Sequence, residues 1–275
     1  MSDKPFGAYT PNWRAKTVLR LSQYTPLGRG WARALMAKWL CQLQSGPVDV
    51  RLFDQNVRLY LGENENSCEI KALLKPHRYA KEEFAFCRQF MPQTGGVFVD
   101  IGANAGIFSL YLLSQMNSGT LLAAEPQAHL FQRLRDSLTR SNRAKSTPLT
   151  LDLLPVAIGD RDGFMDLSRP TQPGQASFRI DPPINPQNVA VKPLQQVLKA
   201  ACVTHIDVLK LDIEGYEDAV LGHFFEMAPK ALYPKAIVIE HCHQDKWRQD
   251  CLALLQAQGY VITGQTRTNT MLVYP

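Results

Sequence analysis

A strand that ends in a glycine-punctuated turn and passes straight into a helix is compatible with few folds, and residues 97–109, VFVDIGANAGIFS, have that form. Val97, Phe98 and Val99 are apolar, Asp100 closes the run, and Gly102, Ala103, Asn104, Ala105 and Gly106 make the turn. Ile107, Phe108, Leu110, Tyr111 and Leu113 then recur at helical spacing. The turn therefore sets a helix N-terminus above the end of a buried strand, an arrangement that attracts nucleotide-like ligands. With 275 residues, 45% of them hydrophobic, the chain can bury the sizeable core that such a unit needs.

The remaining segments extend this unit into an α/β domain. Thr120–Ala124 predicts a second strand ending at Glu125, and Leu130, Leu134 and Leu138 predict a helix over 129–142. A third strand is expected over 151–158, a return arm over 164–167, and further strands over 208–211 and 236–239. A helix over 247–258 and two closing strands, 260–263 and 270–274, complete the pattern. Strands separated by helices imply a doubly wound, mostly parallel sheet, here finished by an antiparallel hairpin. Five prolines between Pro170 and Pro186 interrupt the series and mark a candidate lid or substrate loop.

Ahead of this domain, 93–275, lie two further segments. Residues 47–92 alternate as a hairpin through Val48, Val50, Leu52, Val57, Leu59 and Leu61, and a helix follows over 78–90. Residues 1–46 form a basic helical segment in which Trp31, Leu35, Met36, Trp39, Leu40 and Leu43 trace one face. Residues 1–50 hold seven basic residues against Asp3 and Asp49, so the whole excess of +5 lies there. A helix of this kind packs on the domain with a solvated basic side, or lies on a partner or an anionic membrane surface through residues 12–44. Charge confined to one end gives nucleic-acid binding by the main domain little support. Six scattered cysteines, no leader-like segment and no long apolar run lead us to expect a cytoplasmic protein, with peripheral contact at the inner membrane surface.

The ligand is narrowed by Asn104. In the dinucleotide fingerprint a middle glycine lets a pyrophosphate approach the backbone, and an asparagine there favours a ligand without one. S-adenosylmethionine (SAM) meets that requirement, with Glu125 placed to take its ribose hydroxyls. Candidate cofactor residues are Asp100, Gly102, Asn104, Gly106, Ser109, Glu125 and Ala157, the glycines serving close approach of the backbone to the methionine moiety.

The segments VFVDIGANAGIFS, LLAAEPQAHLFQRL, PVAIGDRDG and above all VLKLDIEGYEDAVL resemble the FkbM family of SAM-dependent methyltransferases. The resemblance runs from about Gln93 to Glu240 and leaves the basic N-terminal segment outside. It implies a class I SAM-methyltransferase (Rossmann-like) fold with seven strands. It also implies O-methylation of a hydroxyl on a sugar, glycolipid or polyketide-like acceptor. Where the family often has Leu-Asp this chain has Leu194-Gln195, a difference expected to affect a helix cap.

Methyl transfer is an in-line displacement, and an alcohol acceptor needs a base within hydrogen-bond reach. The carboxyl ends of the strands offer Asp212, Glu214 and Glu240, and the neighbouring His241 offers an imidazole, the side-chain type most often used as a general base. His241, Asp212 and Glu214 are the candidate catalytic residues, with His241 the leading base. Asp212 and Glu214 could instead share a divalent cation with Glu240, or pair with Lys210 and cap the next helix, and His241 could be structural. No metal site is assigned, because His241, Cys242 and His243 lack a second ligand cluster at suitable spacing. A nicotinamide-dependent oxidoreductase and a non-catalytic SAM-binding module are the alternatives.

Overall fold

The computed structural model describes residues 4–61, 67–166 and 188–275. The proline-rich loop expected over 170–188 therefore lies, but for its last residue, outside the described residues.

The N-terminal lobe comprises α1 (Trp13–Tyr24), α2 (Gly30–Leu43), the hairpin β1 (Gly46–Leu52) and β2 (Gln55–Leu61), α3 (Ser67–Leu74) and α4 (Lys81–Phe90). The core continues with β3 (Gly96–Ile101), α5 (Ile107–Gln115), β4 (Gly119–Ala124), α6 (Ala128–Arg143) and β5 (Thr150–Leu154). Next come β6 (Ala157–Gly159), β7 (Gly163–Asp166), β8 (Asn188–Pro193) and α7 (Leu194–Ala200). The chain closes with β9 (Val208–Leu211), α8 (Glu217–Met227), β10 (Ala236–Glu240), α9 (Cys251–Ala257), β11 (Val261–Gln265) and β12 (Asn269–Val273).

The seven-stranded sheet has the order β11-β12-β10-β9-β3-β4-β5, and β12 alone runs antiparallel to its neighbours. This is the doubly wound class I methyltransferase architecture with its antiparallel C-terminal pair. The strand expected over 151–158 is two strands. Pro155 has no N–H to donate, so pairing with β4 stops at Leu154, and β6 joins a separate sheet of order β6-β8-β7.

Alternation along the strands sends side chains to two cores. Phe98, Leu121, Val208, Ala236 and Val238 face one, together with Ala15, Met36, Leu40, Leu59 and Phe84 of the N-terminal lobe. Val99, Leu122, Leu209 and Ile237 face the other, with Leu198 of α7, Val220 and Phe224 of α8, and Leu255 of α9. Packing thus crosses the boundaries drawn at residues 46 and 92.

Two polar clasps fasten the lobe. Asp49, almost fully buried, accepts from the Gly7 and Tyr9 amides at 2.7 and 3.1 Å and pairs with Arg58 at 2.7 Å. Lys75 Nζ donates to the Ser22, Gln23 and Thr25 carbonyls at 3.0, 2.7 and 3.1 Å, satisfying the C-terminal end of α1. The apolar stripe read along α2 divides: Met36 and Leu40 are buried, whereas Trp31 is 82% and Trp39 45% exposed.

Candidate functional site

Four charged side chains gather at the carboxyl ends of adjacent strands, on the sheet face covered by the N-terminal lobe. Asp100 of β3 lies opposite Lys210 of β9 in parallel register, and Lys210 lies opposite Val238, two residues before Glu240 of β10. Residues two apart share a face, so Lys210 carries Asp212 with it, and its Nζ meets Asp212 Oδ2 at 3.1 Å. Asp100 Oδ1 lies 3.6 Å from the same Nζ. Burial alone would pull the Lys210 ammonium down, but the Asp212 and Asp100 carboxylates outweigh it and raise its pKa. Lys210 is thus a fixed positive charge that orients Asp212.

Two cavities meet at this cluster. The first, about 500 Å³, is lined by the turn after β3 (Gly102, Asn104), Glu125, Ala157, Asp212, Glu214, Tyr216 and Glu240. The second, about 530 Å³, shares Lys71, Tyr79, Lys210, Asp212 and Glu240 with it and continues beneath the lobe to Arg29 and Arg33.

In the first cavity Glu125 is almost fully buried. Its Oε2 accepts the Asn104 amide at 2.9 Å and its Oε1 the Gln127 amide at 2.8 Å. Burial raises its pKa and the two amides oppose the rise. A carboxylate has four lone-pair sites, so two remain for ligand hydroxyls. Asn104 adopts the left-handed region at φ 56°. Gly102, at φ 76°, is required for another reason: a Cβ there would lie 1.8 Å from the Asp212 carbonyl oxygen. The turn after β3 and the end of β9 therefore lie against each other, and only glycine permits it.

The SAM donor set fits this cavity. Glu125 suits ribose hydroxyls, while Ile107, Phe108, Val156 and Ile158 supply apolar wall for a purine. Asp212 and Glu214 give the cavity carboxylate charge, which suits a sulfonium and an ammonium. Glu240 Oε2 is buried without a hydrogen-bond partner among the described residues, so the site has acceptor capacity to spare.

Four expected site residues do not line this cavity. Asp100 is fully buried beneath the turn, where its Oδ2 accepts the Ser109 hydroxyl at 2.6 Å. Asp100 and Ser109 thus brace β3 against α5, and burial pushes the Asp100 carboxyl up against the pull of Lys210. Gly106 accommodates α6, since a Cβ would meet Leu134 at 3.2 Å. His241 follows Glu240 and so points to the opposite face, where its Nδ1 lies 2.9 Å from Thr270 Oγ1. The geometry expected of a leading base is therefore absent at His241 and present at Asp212 and Glu240.

Glu214 lines the cavity but caps no helix. Its backbone is left-handed at φ 61°, and its carboxylate pairs with His243 at 2.7 Å. The loop is held instead by buried Glu217, whose Oε1 accepts the Ile213 amide at 2.9 Å and whose Oε2 accepts Trp247 Nε1 at 2.8 Å. Glu217 is not among the candidate site residues expected from the sequence, because its partners meet it only in the folded loop. Glu240 also gains importance: burial, then the Asp212 and Glu214 carboxylates, push it up to about 8. Glu214, Glu240 and His243 place ligand atoms within 4.8 Å of one another. A search for regular metal-ligand spacing passes over that triad because strand register brings it together.

Residues 100–262 match the methyltransferase FkbM domain. No curated protein matches the chain in sequence. Similar solved structures include a precorrin-6y C5,15-methyltransferase from Geobacter metallireducens, with 14% identity and a TM-score of 0.41 over 70% of this chain and 89% of that one. A magnesium protoporphyrin IX methyltransferase from Synechocystis with bound SAM has 10% identity and a TM-score of 0.44, over 78% and 86% of the two chains. A methyltransferase from Geobacter sulfurreducens has 14% identity and a TM-score of 0.41, over 72% and 78%. The domain match takes in more than half of the chain, from Asp100 through the Asp212 and Glu240 strand ends, and the chain belongs to the FkbM methyltransferase family.

Proposed function

We propose that this SAM-dependent methyltransferase methylates a hydroxyl group on a sugar, glycolipid or polyketide-like acceptor. The observation that carries the reading is the placement of Asp212 and Glu240 where the two cavities join. SAM, when bound, supplies an electrophilic methyl group on a good leaving group. Glu125 holds the ribose, the turn over 102–104 borders the methionine moiety, and Ala157 belongs to the purine wall. Asp212, oriented by Lys210, accepts the acceptor hydroxyl's proton, and Glu214 helps position that acceptor. Glu240, protonated near neutrality, supports Asp212 and adds basicity as it ionises.

Asp212 replaces His241 as the base, since His241 faces Thr270. Domain membership favours methyl transfer over the oxidoreductase alternative. Paired acids at the cavity junction favour a catalyst over a passive SAM-binding module. The experiment is mass spectrometry of lipid and glycan extracts from cells with and without the protein. A methyl mass difference on an alcohol is the expected result; methylation confined to nitrogen or carbon would refute the O-methyltransferase reading.

We further infer peripheral contact with an anionic membrane in a cytoplasmic setting. Trp13, Tyr24 and Trp31 are 72%, 77% and 82% exposed on a lobe that carries the chain's excess positive charge, which supports the reading. No helix among the described residues is long and apolar enough to cross a membrane. Equal sedimentation with neutral and anionic vesicles would remove the electrostatic element.

A further inference from the structure

The second cavity differs from the first in the sign of its walls. Arg29, Arg33, Lys71, Lys75, Arg78 and Lys210 line it, against Glu83, Asp212 and Glu240. Its carboxylates do not neutralise the outer cations. Asp212 pairs with Lys210, and Glu83 accepts Thr266 Oγ1 at 2.8 Å and Asn269 Nδ2 at 2.9 Å. Lys75 is spent on three carbonyls of the α1 terminus. Among the described residues, Arg29, Arg33, Lys71 and Arg78 form no ion pair. Burial first, then the charges of Arg29 and Arg78, lower the Lys75 ammonium, as expected where cations crowd without counter-ions.

Four solvent-exposed cations without ion pairs among the described residues gather along one cavity, Arg29 and Arg33 at the start of α2, Lys71 in α3 and Arg78 in the turn before α4. Arginine guanidinium groups suit phosphate oxygens, which they bind through paired N–H donors. The cavity shares its inner wall with the methyl-donor site, so an anion bound at the outer end would present a neighbouring hydroxyl to Asp212. We propose that the second cavity is an anion subsite of the acceptor and that the acceptor carries a phosphate or pyrophosphate group, gripped by Arg29, Arg33, Lys71 and Arg78. The assignment rests on the acceptor-hydroxyl reading above and specifies its substrate class. A phosphorylated sugar and a lipid headgroup would both provide this chemistry.

The test is calorimetric titration of sodium pyrophosphate into the full chain saturated with S-adenosylhomocysteine. One saturable site is expected, with affinity falling as salt rises. Arg33→Gln/Arg78→Gln should weaken it at least tenfold, a loss ordinary for two charge-assisted contacts. Lys38→Gln, outside the cavity, should leave it unchanged. Circular dichroism of each variant establishes that it folds.

No saturable pyrophosphate binding, or equal binding by the arginine variant, overturns the subsite. Tight binding of a single-stranded RNA oligomer that pyrophosphate does not displace also overturns it, in favour of a nucleic-acid surface. Because the readout is binding, it stands apart from the O-methylation reading, which fails only on the product's methylated atom. A second arm sediments the protein with phosphatidylglycerol vesicles: retention abolished by pyrophosphate assigns the phosphate to a lipid headgroup, and any other pattern assigns it to a soluble molecule.

Discussion

The two cavities share one wall and differ in almost everything else. The first is built mainly from the sheet's turns and strand ends, joined by Cys68, Lys71 and Tyr79 of the lobe, with Glu125, Asp212, Glu214 and Glu240 as its acids. The second is roofed by the N-terminal lobe and lined by more cations than acids. In the function proposed above, the first takes the cofactor and the second the molecule to be methylated. The contrast teaches that the family match, residues 100–262, takes in the turn after β3, Glu125 and the acids at the cavity junction, while Arg29, Arg33, Lys71 and Arg78 lie ahead of it.

The largest effect is expected where the cavities join. Asp212→Asn should lower turnover about 10²–10⁴-fold, the range for a lost general base, with S-adenosylhomocysteine binding retained. Single-turnover kinetics beside calorimetry checks this, and a parallel loss of both would show Asp212 to be a cofactor ligand. Next comes the lobe. Asp49→Ala takes the carboxylate counter-charge from buried Arg58 and should cost about 3–5 kcal/mol of stability, read by urea denaturation. Loss of the acceptor cavity with the sheet intact would sharpen the division into two walls. Glu125→Ala removes a ligand carboxylate and the partner of two amides. It should weaken S-adenosylhomocysteine binding about 10–100-fold in calorimetry, corresponding to roughly 1.5–3 kcal/mol for contacts to a charged group.

The smallest effect concerns pH. Glu240 is raised to about 8, so turnover should rise as pH passes 8 and level off above it. Glu240→Gln, which cannot ionise, should flatten that rise. The stability sign runs the other way. A carboxyl holding its proton in the fold but ionised in the unfolded chain contributes stability present below the ordinary glutamate range and lost as pH climbs towards 8. The Gln variant should therefore gain thermal stability relative to wild type between pH 5 and pH 9, measured by parallel melts.

Much of this was legible in the residues. VFVDIGANAGIFS marked β3, its turn and α5, and Glu125 followed from the next strand's end, because strand–turn–helix units leave local patterns. Strand parity was harder to use. Which of Glu240 and His241 faces the cavity depends on which sheet face the lobe covers, and that follows only once Met36, Leu40 and Leu59 are seen in one core with Phe98. Asp100 was placed in the right strand but at the wrong depth, since the turn folds over it. The cations were visible as a basic N-terminal segment, yet Lys71 and Arg78 lie beyond it, and only tertiary packing joins them to Arg29 and Arg33. Helix α1 lies within the segment 1–46 expected to be helical, but its own bounds, set by the cap at Asn12, were not read from the residues.

The most direct measurement is a calorimetric titration of S-adenosylhomocysteine into wild type, Glu125→Ala and Arg29→Gln/Arg33→Gln, paired with pyrophosphate titrations of the same three proteins. The expected result is a double separation: the glutamate variant loses S-adenosylhomocysteine affinity and keeps pyrophosphate, and the arginine variant does the reverse. Equal losses of both ligands in either variant would contradict the existence of two separate sites meeting at Asp212 and Glu240.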